Sequence, residues 1–125
     1  MEKKYLDLND ISAYGSALEI SNYVWKIIFE WEYFAKNTVG LQWARAIDSM
    51  SANIAEGFGR YTKKDKIKYY RYSFGSLKES QDWLEKAYYR KLILEEQYKY
   101  IKSALEKMPR EINHLIKYTN EKLAI

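Results

Sequence analysis

The sequence predicts an all-α fold, an up-down-up-down antiparallel four-helix bundle, on three observations. Four segments carry apolar residues three and four positions apart, the pattern of one buried helical face. One Pro and five Gly in 125 residues leave few turn formers for a sandwich or barrel of short strands. The breaks between the segments are short, which makes successive helices antiparallel neighbours. The length and a mass of 15.0 kDa fit a single domain over residues 1–125. With 47% hydrophobic and 30% charged residues, the chain has enough apolar side chains for a core and does not read as disordered.

The first helix is expected from about Asp10 to Lys36, with Asn9 as its N-cap. Ala17, Ile20, Val24, Ile27, Trp31 and Phe34 form its stripe, while Leu18, Trp25 and Phe29 spread onto a neighbouring face. A monomer cannot bury both faces, so self-association is expected. Asn37-Thr38-Val39-Gly40 breaks the pattern, and Thr38 is expected to cap a second helix from Val39 to about Glu56. Trp43, Ile47, Met50 and Ile54 are its core line. Gly57-Phe58-Gly59 is expected to end it through a left-handed glycine. Thr62-x-x-Asp65 has capping-box spacing and opens a third helix. Its core line is Ile67, Tyr70, Phe74, Leu77, Leu84 and Tyr88. The last helix runs from about Glu95 to Glu121, with a kink expected at Pro109, which lacks an N–H and crowds the preceding turn.

Composition excludes several function classes. Without Cys there are no disulfides, thiolate zinc sites or cysteine nucleophiles. The single histidine, His114, has no Ser/Asp partners at triad spacing. Glu111-x-x-His114 matches the di-iron Glu-x-x-His spacing once, where such a site needs it on two helices. Gly57-Phe58-Gly59 lacks the third glycine and the preceding strand of a dinucleotide fingerprint. On the second helix Asp48 and Glu56 are eight residues apart, roughly 12 Å along the axis, too far to act as an acid–base pair. No catalytic residue, metal or cofactor is expected. No apolar run approaches the ~20 residues of a membrane span. Met1-Glu2-Lys3-Lys4-Tyr5 leads into no apolar signal region, so a cytoplasmic location is expected.

Charge and aromatics point instead to binding. Residues 1–44 carry four basic and six acidic side chains, residues 45–125 carry 17 and 11, and the chain has 13 Tyr. The densest stretch is Arg60-Tyr61-Thr62-Lys63-Lys64-Asp65-Lys66-Ile67-Lys68-Tyr69-Tyr70-Arg71-Tyr72, with six bases, one acid and four tyrosines. Cations at a helix N-terminus oppose the macrodipole. Clustered there with free N–H groups, they form a phosphate-binding surface. Arg60, Lys63, Lys64, Lys66, Lys68 and Arg71 are therefore the expected phosphate contacts of RNA or DNA, with Tyr61 or Tyr69 stacking on bases. The bland alternative is a solvated face on a protein-interaction scaffold. On the second helix, Arg45, Ser49, Asn53 and Glu56 lie about a turn apart. They read as a structural network, with Asn53 and Glu56 tied to the loop and third helix through Arg60 or Ser76.

At these residues the chain resembles a known family. Thr38-Val39-Gly40-Leu41-Gln42, Arg45-Ala46, Ser49, Asn53-Ile54-Ala55-Glu56-Gly57 and Gly59-Arg60 match its signature, and Gly75-Ser76-Leu77-Lys78-Glu79 a second block. The family is the bacterial four-helix-bundle proteins first known from intervening sequences in large-subunit ribosomal RNA genes. It is similar to the accessory variability determinant of diversity-generating retroelements. The resemblance spans about residues 10–120 and implies a bundle that assembles as a homopentamer. In the retroelement relatives it implies a basic surface that binds nucleic acid and a reverse transcriptase. It implies no catalytic residue. Arg45, Ser49, Asn53, Glu56, Gly57, Gly75, Ser76 and Glu79 enter as motif positions.

Overall fold

The computed structural model describes residues 6–124. The Met1–Tyr5 stretch lies outside the described residues. Four helices dominate: α1 (Ser12–Phe29), α2 (Leu41–Phe58), α3 (Lys63–Tyr89) and α4 (Glu95–Lys122). A 3₁₀ turn at Leu8–Asp10 precedes α1, and among the described residues there is no strand. Consecutive helices pack side by side and α4 closes against α1, which leaves α1 and α3 diagonal. Trp43, Ile47, Met50 and Ile54 of α2 meet Ile20, Tyr70, Leu77, Leu84, Ile101, Leu105, Met108 and Ile112 in the core, all fully buried. The buried Ser73 hydroxyl donates to the Met50 carbonyl at 2.9 Å and ties α3 to α2.

The first connection departs from the sequence pattern. The apolar spacing continues to Phe34, but α1 stops at Phe29. Glu32 takes an extended conformation and its carboxylate accepts from the Ala35 N–H at 3.3 Å, starting a new turn at Tyr33–Ala35. A π-helical segment, Lys36–Gly40, then leads into α2. Trp31 therefore leaves the α1 stripe and packs near Trp43, with ring centroids 6.2 Å apart, while Phe34 lies exposed. Thr38 caps nothing, because its hydroxyl bonds back to the Phe34 carbonyl at 2.7 Å. Gly40 is not a breaker either. A Cβ there would lie 2.8 Å from Ile28 Cγ2, so glycine lets the π segment close on α1. Asn9 is displaced as N-cap by Ile11, and an Asp7–Asp10 pair organises the preceding turn.

Four other expectations resolve locally. Thr62 does cap α3, its hydroxyl accepting from the Asp65 N–H at 3.1 Å. Gly57 is helical, and no described glycine has positive φ; among the described non-glycine residues only Lys91 does, at 60°. Tyr88 leaves the core line for an exposed stack on Tyr98, with centroids 4.0 Å apart. α4 runs unbroken through Pro109 to Lys122.

Candidate nucleic-acid interface

The basic stretch lies where three helix ends meet. Antiparallel packing sets the N-terminus of α3 beside the C-termini of α2 and α4. The Lys63 ammonium reaches across to donate to the carbonyls of Asn120 (3.3 Å) and Leu123 (3.2 Å) at the end of α4. Lys66 donates to the Phe58 carbonyl at the end of α2, at 2.6 Å, with its ammonium 5.4 Å from the Phe58 ring centroid. Burial pushes the Lys66 ammonium below the usual lysine range. Helix C-termini carry unsatisfied carbonyls and partial negative charge, so both lysines are placed favourably with respect to α2 and α4. The dipole conflict within α3 is thus offset by the two neighbouring helices.

Arg60 is also engaged within the protein. Its Nη2 donates to the Tyr69 hydroxyl at 2.6 Å and its guanidinium lies 4.6 Å from the Tyr69 ring centroid. Its Nε is 3.5 Å from a Glu56 carboxylate oxygen. Tyr69 is half-buried under this arginine, with Lys68 5.2 Å from the ring and Tyr72 edge-on at 5.3 Å. Of the eight residues considered for nucleic-acid contact, Arg60, Lys63 and Lys66 thus serve the fold, and Tyr69 is covered. Tyr61 (79% exposed), Lys64, Lys68 and Arg71 face outward.

Those outward residues form a line. Lys64, Lys68, Arg71 and, further along, Lys78 are exposed and fall on one face at steps of four, three and seven. The line is roughly 21 Å long, the span of about six phosphates on one strand. Exposed Tyr72 sits beside it. Lys78 and Tyr72 were absent from the expected site. Their signal in the sequence is the seven-residue step from Arg71 to Lys78, two turns along one helix face beyond the dense basic run.

The motif network on α2 is narrower than expected. The Ser49 hydroxyl donates to the Arg45 carbonyl (2.7 Å) and the Asn53 amide to the Ser49 carbonyl (2.9 Å), both within the helix. Asn53 therefore does not reach the loop, and the Glu56–Arg60 pair alone makes the expected tie. Ser76 is half-buried and takes no part in it, and Arg45, Gly75 and Glu79 are exposed. Gly57 has a packing reason: a Cβ there would lie 2.7 Å from Tyr70 Cε1 and 2.8 Å from the Lys66 carbonyl. Among the described residues no group of three or more His, Asp or Glu side chains is placed to hold a metal ion. No described helix is long and apolar enough to cross a membrane.

These features define a small all-α four-helix bundle with a basic, tyrosine-flanked outer helix face. The family model described as 23S rRNA-intervening sequence protein matches residues 9–114, and the chain belongs to that family. It is similar to the crystal structure of a protein with unknown function from the S23 ribosomal protein family of Bacteroides thetaiotaomicron VPI-5482. The TM-score is 0.73 at 22% identity, over 84% of this chain and 98% of that one, a likeness of fold. No curated protein matches the chain.

Proposed function

We propose that this protein is a non-enzymatic homo-oligomer, five-membered as the resemblance implies, that binds RNA or DNA through the first turns of α3. The partner is bare nucleic acid or a nucleoprotein such as a reverse transcriptase with its RNA. The observation that carries the reading is the outward line of Lys64, Lys68 and Arg71 beside exposed Tyr61 and Tyr72. Cations at this spacing follow a phosphate backbone, and tyrosines offer a stacking surface with little base preference. Repetition of the line around an oligomer gives a strongly basic assembly from a protomer of formal charge +4. The engagement of Arg60, Lys63 and Lys66 inside the protein favours a second reading, a protein-interaction scaffold without nucleic-acid binding.

A salt titration of the wild-type protein on mixed-sequence RNA and DNA separates the two. Binding predicts log K falling linearly with log salt, by roughly 0.7 per neutralised phosphate on single strands and 0.9 on duplex DNA. Absence of binding at low salt leaves the scaffold.

A further inference from the structure

Side chains also gather at the end of the bundle opposite the start of α3, and there they do not serve the fold. The α1–α2 connection and the α3–α4 turn flank a cavity of about 770 Å³. Sites for small organic ligands fall in this size range. Part of its wall is the π-helical segment Lys36–Gly40. Such segments are rare and recur at functional sites. Thr38, Val39 and Gln42 of the first motif block line the cavity, and nucleic-acid binding gives those positions no task. Another part of the wall is the turn after α3, which is fixed in place. The Leu92 N–H donates to the Ala87 carbonyl at 2.9 Å and Lys91 takes a φ of 60°, closing the helix as a left-handed cap does.

The lining combines apolar surface with charges of both signs. Phe34, Trp83 and Leu92 add apolar surface to that of Val39, and Phe34, 72% exposed, lies outside the core. Glu32 and Arg90 line the same cavity, yet no ion pair joins them. One Glu32 carboxylate oxygen accepts from the Ala35 N–H, which leaves the second unspent. The Arg90 guanidinium and the Gln42 amide make no hydrogen bond to any described residue.

Opposite charges held apart across an apolar cavity suit a ligand that carries both signs itself. A primary amide, donor and acceptor together, matches a peptide group. A lone amino acid offers Gln42 no such group and has one side chain for two apolar walls. We propose that this cavity binds a short apolar peptide with free ends, a di- or tripeptide. Its ammonium meets Glu32, its carboxylate pairs bidentately with Arg90, and Gln42 bonds its peptide group. Its apolar side chains lie against Phe34 and Trp83. Arg90 is twenty-six residues, roughly 39 Å, from Lys64 along α3. The cavity and the nucleic-acid surface are therefore separate sites, and either assignment can fail alone.

Isothermal titration calorimetry with the dipeptide leucyl-phenylalanine tests the assignment. Wild type is expected to bind the free-ended dipeptide about tenfold or more tightly than its N-acetyl form or its C-terminal amide, the worth of one charge-assisted pair at each end. Glu32→Gln keeps an acceptor for the Ala35 N–H and should erase only the preference over the acetyl form. Arg90→Gln should erase only the preference over the amide. Circular dichroism checks that both variants keep their helix, and the wild-type series decides the matter if either does not. No binding of the dipeptide to wild type at millimolar concentration overturns the site, as do free and blocked forms that bind alike. Free phenylalanine binding as tightly as the dipeptide overturns the peptide as its ligand.

Discussion

Replacing Gly57 by alanine puts a methyl carbon 2.7 Å from Tyr70 Cε1, 2.9 Å from Cδ1 and 2.8 Å from the Lys66 carbonyl oxygen. Ordinary contact begins near 3.4 Å, so each neighbour must retreat by more than half an ångström. Neither moves cheaply. Tyr70 is 1% exposed within the core, and the carbonyl belongs to the second turn of α3. Overpacking of this kind costs roughly 1–3 kcal/mol, occasionally more. Helix propensity works the other way, since alanine is better than glycine by about 1 kcal/mol. With a rigid backbone atom among the contacts, the cost belongs at the upper end, and a net loss of about 1–2 kcal/mol is expected. Gly59→Ala is the control, because its Cβ would meet only ordinary contacts, at 3.6 and 3.7 Å. Urea unfolding followed by circular dichroism measures both. Gly57→Ala as stable as Gly59→Ala would refute the close-approach account of the α2–α3 junction.

The same assay tests the lysines at the helix ends and the buried tyrosine. Lys63→Ala and Lys66→Ala should each lower stability by about 0.3–1 kcal/mol, as loss of a cation from a helix C-terminus does, whereas Lys64→Ala, which bonds no carbonyl, should not. Burial pushes the Tyr70 phenol up to about 12, with the Thr119 side chain pulling it weakly down. A raised phenol favours the folded state fully below the unfolded value near 10. Between pH 10 and about 12 the unfolded chain ionises first, so stability should fall by about 2–3 kcal/mol through that window. Tyr70→Phe should remove that part of the alkaline loss, seen as a flatter stability curve above pH 10.

The fold was legible wherever periodicity carried it. The α2 core line is buried as its spacing implies, as are Ile101, Leu105, Met108, Ile112 and Leu115 at steps of three and four on α4, and Thr62 caps α3 as its sequence implies. The failures share a cause, which is tertiary contact overriding local pattern. The apolar spacing runs on past Phe29, yet Glu32 restarts the helix and Trp31 turns toward Trp43. Gly40 and Gly57 look like breakers in one dimension, but each is a gap that a neighbouring helix fills. The basic site was half legible. Sequence shows that cations crowd the start of α3 but not that the ends of α2 and α4 lie alongside. Lys63 and Lys66 therefore read as phosphate ligands when their ammonium groups bind carbonyls, and Lys78 falls outside the dense basic run.

The central claim is that the lysines of one short segment divide by role, Lys63 and Lys66 holding helix ends and Lys64 and Lys68 meeting phosphates. The direct measurement is affinity for mixed-sequence RNA across a salt series for wild type and Lys64→Ala/Lys68→Ala, with thermal unfolding on the same samples. The account predicts unchanged stability, weaker binding to every sequence, and a salt slope shallower by about 1.4 per protomer at the interface. A double variant that binds with the wild-type affinity and slope would contradict it.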